Sequence, residues 1–399
     1  MNKIKFSDKL ISKNRASLKE KSVFEISANT NIIERDFRCS IDNKNSLNDF
    51  QGYSGYCWIY AGVAMLKDYL KSKYKIGNYE FSYAYLQFYD KYEKMKYAVD
   101  IIFDKKYDKD YFANDLTFLT SDKGNFEIFC SLINKYGIVP KRDMPDTYCV
   151  KKTFDINYVL HNYLINLINK IEKNEKMSKE KVLKDVHELL GDCYGVPPTI
   201  VKVNLSMEEV ISPNEFYDKY LDRCLDEYVT ISNYRDDEEY VNKSCCYKNR
   251  YNFISRKKTT VINFNKNFFK KVIINQLKNN ATYISMKIVD GDLKKGIFDD
   301  KLYKLNDTLG LDVELDKTSF MKFKEGVSEH ALMLVGVDIQ NNKVIKWKVR
   351  DNNANVGESG YCIISNDWFD KYVCSVVVNK KTLNKNILNN INEEPINLF

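Results

Sequence analysis

The sequence has few histidines and no paired cysteine motif. Three histidines occur among 399 residues, so a site that depends on histidine has very few positions to use. Ten cysteines are present, but none occurs in a Cys-x-x-Cys pair. Cys245 and Cys246 are adjacent, which suits neither a zinc site nor an ordinary disulfide. We therefore expect no metal and no cofactor, and we expect most cysteines to be small buried hydrophobic residues.

Long apolar runs are also missing. No stretch approaches the length of a membrane span, and residues 1–25 are polar and rich in lysine, unlike a secretory signal peptide. We therefore expect a cytoplasmic protein without membrane contact. The net charge of +7 is small for this length. Charge alone would permit weak nucleic-acid binding, but no basic motif interleaved with aromatic residues supports it.

Hydrophobic spacing divides the chain into a helical first part and a strand-rich last part. From about residue 281, short β-branched runs alternate with turns, and Asn341-Asn342 predicts a tight hairpin. The fold class is therefore α+β, with an antiparallel sheet in the last quarter. Apolar residues recur at helical spacing after Cys57 and in 81–95, 115–136, 157–190 and 268–279.

The same patterns predict how the chain is organised. A helical half with Cys57 precedes a long insertion, and the strand-rich half follows it. The predicted segments are an N-terminal arm (1–45), the helical half (46–100), a largely helical insertion and oligomerisation region (101–280), the β half (281–380) and a C-terminal tail (381–399).

Cys57 is the cysteine with a reactive context. It follows a turn-prone loop that contains Gly52 and Gly55, and it begins an apolar helical run. Free backbone N–H groups and the positive end of the helix dipole favour a thiolate in the first helical turn. We therefore predict that Cys57 is a nucleophile.

A cysteine nucleophile needs a base, normally histidine. His161 and His187 lie in helical stretches, and we interpret both as surface or packing residues. His330 instead opens the apolar strand that continues from Ala331 to Gly336. A core strand can hold the imidazole ring rigidly while the ring faces a cleft. His330 is therefore the predicted base.

The base must in turn be oriented by a third group. Asp351 and Asn352 follow the next strand, and strand alternation alone does not decide which of them faces His330. Gln51 lies six residues before Cys57. Its side-chain amide, together with the Cys57 backbone N–H, could form an oxyanion hole.

The order of these residues along the chain, and the residues next to them, resemble the pattern of a known family. Gln51-x5-Cys57-Trp58, then His330-Ala331, then Asn352, is similar to the order in papain-like cysteine peptidases. The 273 residues between Cys57 and His330 exceed the usual papain spacing, which resembles the long form found in bleomycin hydrolase and aminopeptidase C. Supporting blocks, which extend the resemblance over about 50–398, include 54–61, 81–94, 135–148, 330–338 and 347–349.

The resemblance implies a papain-like two-part fold and a set of roles. Cys57 would be the nucleophile, His330 the general acid and base, Asn352 the group that orients it, and Gln51 the oxyanion donor. It also implies peptide substrates and a homohexameric ring. In that family the C-terminal tail lies in the cleft and favours removal of N-terminal residues.

Two hypotheses follow from the comparison with that pattern. The first is a cysteine peptidase of aminopeptidase type. The second is a degenerate papain-fold protein that serves as an oligomeric binding or scaffold protein. It is motivated by Asn353-Ala354-Asn355, which replaces the family's Ser-Trp-Gly after the asparagine, and by a tail that ends early at Phe399.

Overall fold

A computed structural model shows how the two parts of the chain meet. The structure describes 17–29, 32, 36–43, 49–104, 116–206, 208–288, 291–292, 295–323, 329–389 and 394–398. Parts of the predicted arm and tail, and the turn before His330, therefore lie outside the described residues.

Helices dominate the first part, and strands follow one another closely after residue 228. The described helices are α1 (Val23–Ser27), α2 (Cys57–Tyr74), α3 (Tyr83–Phe103), α4 (Phe126–Tyr136), α5 (Tyr148–Lys151), α6 (Phe154–Glu172), α7 (Lys179–Tyr194), α8 (Pro213–Leu221), α9 (Lys266–Leu277), α10 (Leu305–Leu309), α11 (Lys317–Lys322), α12 (Asn366–Tyr372) and α13 (Lys385–Asn389). The described strands are β1 (Ile41–Asp42), β2 (Val201–Asn204), β3 (Glu208–Ile211), β4 (Tyr228–Ser232), β5 (Lys243–Asn252), β6 (Lys257–Asn263), β7 (Thr282–Lys287), β8 (Gly291–Asp292), β9 (Ile297–Phe298), β10 (Glu329–Gln340), β11 (Lys343–Arg350), β12 (Tyr361–Ser365), β13 (Val373–Asn379) and β14 (Ile396–Asn397).

One large sheet forms the second half. Its strand order is β14-β5-β6-β4-β13-β7-β10-β11-β12-β9-β8, and β1 pairs with β10. The central strands β13, β7, β10, β11 and β12 pair antiparallel, as the sequence predicts. Three outer pairs, β4 with β6, β9 with β12 and β5 with β14, are parallel. The sheet is therefore mixed at its edges, which the prediction of an antiparallel sheet did not include.

The hairpin between β10 and β11 determines the register near His330. Asn341 and Asn342 both have positive φ, 49° and 61°, as a two-residue hairpin turn requires. Gln340 then pairs with Lys343, and Met333 pairs with Arg350. This predicted turn is confirmed, and it brings the end of β11 beside the start of β10.

The segment predicted as a largely helical insertion, 101–280, also supplies strands to the sheet. β4, β5 and β6 all join it, and β4 pairs directly with β13. The polar, tyrosine-rich region before residue 258 therefore forms β5, which lies near one edge of the sheet between β14 and β6. Polar residues interrupt the sequence of these strands. They therefore lack the continuous apolar run by which a buried central strand is predicted.

Two hydrophobic clusters lie on the two faces of the sheet. One joins the helices α2, α3, α4 and α8 to Ala331, Met333 and Val335 of β10. The other joins α9 and α12 to Leu332 and Leu334 of the same strand. Alternation along β10 thus divides its side chains between the helical half and the far face. In the described part of the chain, every helix is too short or too polar to span a bilayer.

Candidate active site

Cys57 and His330 come together where the two halves meet. Cys57 is the first residue of α2, and His330 is the second residue of β10. The backbone N–H of Ala331 donates to Cys57 Sγ at 3.4 Å, and Cys57 contributes to the raised pKa of the His330 ring. The fold therefore brings the predicted nucleophile and base to the same place in the structure.

Asp351 lies on the other side of the imidazole. His330 Nε2 is 2.8 Å from Asp351 Oδ2, and the carboxylate is 7% exposed. Its other oxygen accepts the backbone N–H of Asn353 at 2.8 Å. The Asp351 backbone N–H donates to the carbonyl of Gly360 at 2.7 Å. The carboxylate is thus held in one orientation against the ring.

Asn352, the residue assigned to orient His330, does not contact its ring. Its Nδ2 donates to Gln51 Oε1 at 3.2 Å and to the Cys57 carbonyl at 3.4 Å. Its Oδ1, the atom that would accept the imidazole N–H, is buried without a hydrogen-bond partner among the described residues. In the structure, the side chain hydrogen-bonded to His330 is therefore that of Asp351, and the orienting role of Asn352 stays a prediction.

Strand register explains why the Asp351 side chain faces His330. Because Leu334 pairs with Val349 and Met333 with Arg350, alternation places Asp351 on the face of β10 that also carries His330. The Asn352 side chain instead donates to Gln51 and to the Cys57 carbonyl. The sequence left both residues open because the pairing of β10 with β11 decides the face.

Gln51 is held against the loop that leads to Cys57. Its Nε2 donates to the Ser54 carbonyl at 2.8 Å, and the Ser54 hydroxyl donates to the Gln51 carbonyl at 2.9 Å. An amide nitrogen carries two hydrogens, so the bond to Ser54 leaves one for a second acceptor. No side chain caps the N-terminus of α2, and the Ile59 N–H donates to the Tyr56 carbonyl at 2.8 Å. The Cys57 backbone N–H, at the very start of the helix, is the donor expected to meet an incoming oxyanion.

Asp122 anchors the same loop, although sequence reasoning did not identify it. Its Oδ2 accepts the Gly55 backbone N–H at 2.8 Å, and its backbone carbonyl accepts the Trp58 indole N–H at 2.7 Å. Lys91 forms a buried ion pair with Oδ1 at 2.8 Å. Burial would raise the Asp122 pKa, but the Lys91 charge and the hydrogen bonds hold it at about 2. No local pattern marks Asp122, because all its partners are distant in sequence.

The electrostatics of His330 favour its protonated form. Burial opposes the charged ring, but the hydrogen bonds to Asp351 and Cys57 and the charges on both groups outweigh this and raise the pKa to about 10. A protonated imidazole beside a thiol favours a thiolate–imidazolium pair.

The other two histidines have packing contacts, as predicted. His161 Nδ1 is 3.1 Å from the Thr120 hydroxyl. The His187 ring makes edge-on contacts with the rings of Phe88 and Tyr92. In the part of the chain that the structure describes, no group of three or more His, Cys, Asp or Glu is arranged to hold a metal ion.

The sequence matches the Peptidase C1-like family over residues 5–399. This chain belongs to that family. It is 31% identical to aminopeptidase E of Lactobacillus helveticus, over 90% of this chain and 87% of that protein. It is 29% identical to aminopeptidase C of Listeria monocytogenes, over 87% of this chain and 83% of that protein. The solved structure of PepW from Lactobacillus rhamnosis superposes with a TM-score of 0.85 at 25% identity, over 99% of this chain and 97% of that one.

These comparisons confirm the predicted family, the papain-like α+β fold and the enzyme class, a cysteine peptidase. In this peptidase a pocket opens beside the nucleophile. Its lining includes Cys57 and Trp58 from α2, Glu127 from α4, Tyr283 from β7, and Glu329 and Ala331 from β10. A bound peptide would therefore contact both halves of the fold.

Proposed function

We propose that the protein hydrolyses peptides with Cys57 as nucleophile, His330 as general acid and base, and Asp351 as the group that orients His330. The observation that carries the proposal is the geometry around His330. The backbone N–H of the next residue, Ala331, donates to Cys57 Sγ at 3.4 Å, and His330 Nε2 lies 2.8 Å from Asp351 Oδ2. The three residues come from separate elements, and their side chains form the base-and-orienter arrangement that an activated thiol needs.

In the proposed reaction, the Cys57 thiolate attacks the scissile carbonyl carbon. The oxyanion that forms accepts hydrogen bonds from the Cys57 backbone N–H and the Gln51 side chain. His330 gives its proton to the leaving amine as the C–N bond breaks, which leaves a thioester on Cys57. Neutral His330 then takes a proton from water, the hydroxide attacks the thioester, and the thiolate leaves as the acid product departs.

The direct test is a Cys57→Ser variant assayed with aminoacyl coumarin amides. We expect the variant to keep the fold and to lose turnover by about 10³-fold or more, because the hydroxyl is a far weaker nucleophile beside this base. Cys193→Ser is the matched control, since burial raises the pKa of that cysteine to about 12. Full turnover in Cys57→Ser would rule out Cys57 as the nucleophile.

Removal of residues from the amino end is the proposed type of cleavage. The relatives in the comparison are named aminopeptidases. In the described tail, β14 pairs with Cys245 and Cys246 of β5, and Cys245 also lines the pocket beside Cys57. A preference for free over N-blocked aminoacyl substrates supports this proposal, and a preference for the blocked ones indicates an endopeptidase.

The alternative is a degenerate binding or scaffold protein, motivated by the residues that follow Asn352. Iodoacetamide labelling separates the two functions. Rapid modification confined to Cys57 at neutral pH supports the enzyme, and no preference for Cys57 supports the scaffold. The homohexamer, the cytoplasmic location and the absence of nucleic-acid partners stay predictions.

A further inference from the structure

The pocket beside Cys57 has an acidic wall that the proposed mechanism does not use. Its two carboxylates belong to Glu127, in the first turn of α4, and Glu329, the first residue of β10. Among the described residues that line this pocket, none is a lysine or an arginine. A carboxyl group in this wall that no lysine or arginine balances would favour a positively charged part of a ligand.

Glu329 already has a cation beside it. Its Oε1 is 3.2 Å from Lys287 Nζ, whose side chain is 2% exposed. The Ser285 hydroxyl donates to Oε2 at 3.3 Å. The Lys287 ammonium therefore balances the Glu329 charge within the protein.

No cationic side chain of the described residues balances the charge of the Glu127 carboxylate in this way. Both of its oxygens accept one backbone N–H, that of Thr260, at 3.2 and 3.0 Å. No lysine, arginine or histidine of the described chain forms an ion pair with it. Burial raises the pKa of this carboxyl to about 8, so a cation that entered the pocket would restore its ionised form.

A second polar group in the same wall has no hydrogen-bond partner among the described residues. The Thr259 hydroxyl lines the pocket, and its oxygen is buried without a hydrogen-bond partner among the described residues. Thr259 directly precedes Thr260, so its hydroxyl lies on the strand segment that holds the Glu127 carboxylate. An ammonium group has three donors, and this wall presents both a carboxylate and a hydroxyl as acceptors.

We propose that this pocket binds an ammonium group of the peptide substrate, with the Glu127 carboxylate as its counter-charge. The inference rests on the proposed function, because it assigns the ligand of a pocket that contains Cys57. Two parts of a peptide carry this chemistry: the α-ammonium of the first residue and the ε-ammonium of a lysine side chain.

Two matched substrate pairs test the proposal with wild type and Glu127→Gln. The first pair is alanyl coumarin amide and its N-acetyl form; the second is acetyl-lysyl-alanyl and acetyl-norleucyl-alanyl coumarin amide. We expect Glu127→Gln to lower the wild-type preference for the ammonium-bearing member of one pair by about 10-fold or more, since a charge-assisted contact is lost. The affected pair identifies which ammonium is bound.

Two variants serve as controls. Glu127→Asp keeps the charge and should retain most of the preference, which a purely structural role would not require. Glu188→Gln removes a charge from an exposed side chain of α7 and should leave both preferences unchanged. Equal preferences in wild type and Glu127→Gln for both pairs would overturn the proposal.

A binding measurement separates this inference from the proposed function. Pentylammonium should raise the Tm of the wild type, pentanol should not, and Glu127→Gln should lose the pentylammonium effect. A Glu127-dependent shift without hydrolysis of any substrate would refute the peptidase proposal and keep the inference. If peptides are hydrolysed but wild type and Glu127→Gln bind the amine equally, the inference is refuted and the peptidase proposal is kept.

Discussion

At the scale of single residues, the site depends on which neighbouring side chain faces His330. Asp351 and Asn352 are adjacent and both buried, yet one contacts the imidazole and the other contacts the nucleophile loop. A carboxylate in this position stabilises the imidazolium more strongly than a neutral amide would. The proposed site thus combines a cysteine nucleophile with an acidic orienting group.

Separate alanine substitutions distinguish the two residues. We expect Asp351→Ala to lower kcat by about 10²-fold or more, because the ring loses its orientation and its counter-charge. Asn352→Ala should have a smaller effect on kcat and should act through the placement of Gln51. Steady-state kinetics on variants with unchanged circular dichroism provide the measurement. A larger loss of kcat in Asn352→Ala than in Asp351→Ala would return the orienting role to Asn352.

Asp122 is the second residue whose effect can be predicted. Asp122→Ala leaves the buried Lys91 ammonium without its carboxylate and frees the Gly55 N–H. We expect a loss of about 3–5 kcal/mol in the free energy of unfolding, together with reduced kcat. Chemical denaturation measures the first effect, and Asp155→Ala, at an exposed position of α6, is the control. An unchanged unfolding free energy in Asp122→Ala would contradict this account of the loop.

At the scale of elements, α2 is placed by a close contact with the segment that precedes α4. A Cβ at Gly124 would overlap the Trp58 indole, and a Cβ at Gly62 would lie 2.6 Å from the Phe129 ring. Both glycines therefore allow α2 to approach its neighbours more closely than alanine would permit. The indole in turn lies directly after the nucleophile.

Gly124→Ala tests this placement. We expect the unfolding free energy to fall by about 1–3 kcal/mol, because the indole must shift. Displacement of Trp58 should also slow turnover and change its fluorescence. Gly77→Ala is the matched control, since a Cβ there meets nothing within 4 Å; it should leave the unfolding free energy nearly unchanged. Equal effects of the two substitutions would show that the contact is unimportant.

At the scale of the whole molecule, the ion pair of His330 and Asp351 links stability to pH. The folded protein raises the His330 pKa from its ordinary value of 6.5 to about 10. The stabilisation from the protonated ring is therefore fully present below about pH 6.5 and is lost as the pH rises through about 10. This group makes the native protein less stable at alkaline pH.

A comparison of wild type with His330→Gln isolates that contribution. We expect the difference in unfolding free energy between the two proteins to shrink as the pH is raised from 7 to above 10. Denaturant unfolding at several pH values provides the measurement. A difference that stays constant over this range would mean that the ring is not held in its protonated form.

Sequence reasoning was most successful where chemistry depends on local pattern. The α2 start at Cys57, the strand that begins near His330 and the Asn341-Asn342 turn all follow from side-chain periodicity and turn preferences. Family resemblance supplied the fold that unites them. The strands β5 and β6 were not predicted, since strands of mixed polarity carry a weak periodic signal.

By itself, the sequence determined which residue types could perform thiol chemistry: a cysteine at a helix start, and a histidine at the beginning of an apolar strand. Only the tertiary structure decided that Asp351 faces the imidazole, that Asp122 anchors the Gly55–Trp58 loop, and that Glu127 lines the pocket beside Cys57. The physical reason is that these contacts join residues that are far apart in the chain. Strand register and packing bring them together, and no local spacing encodes either one.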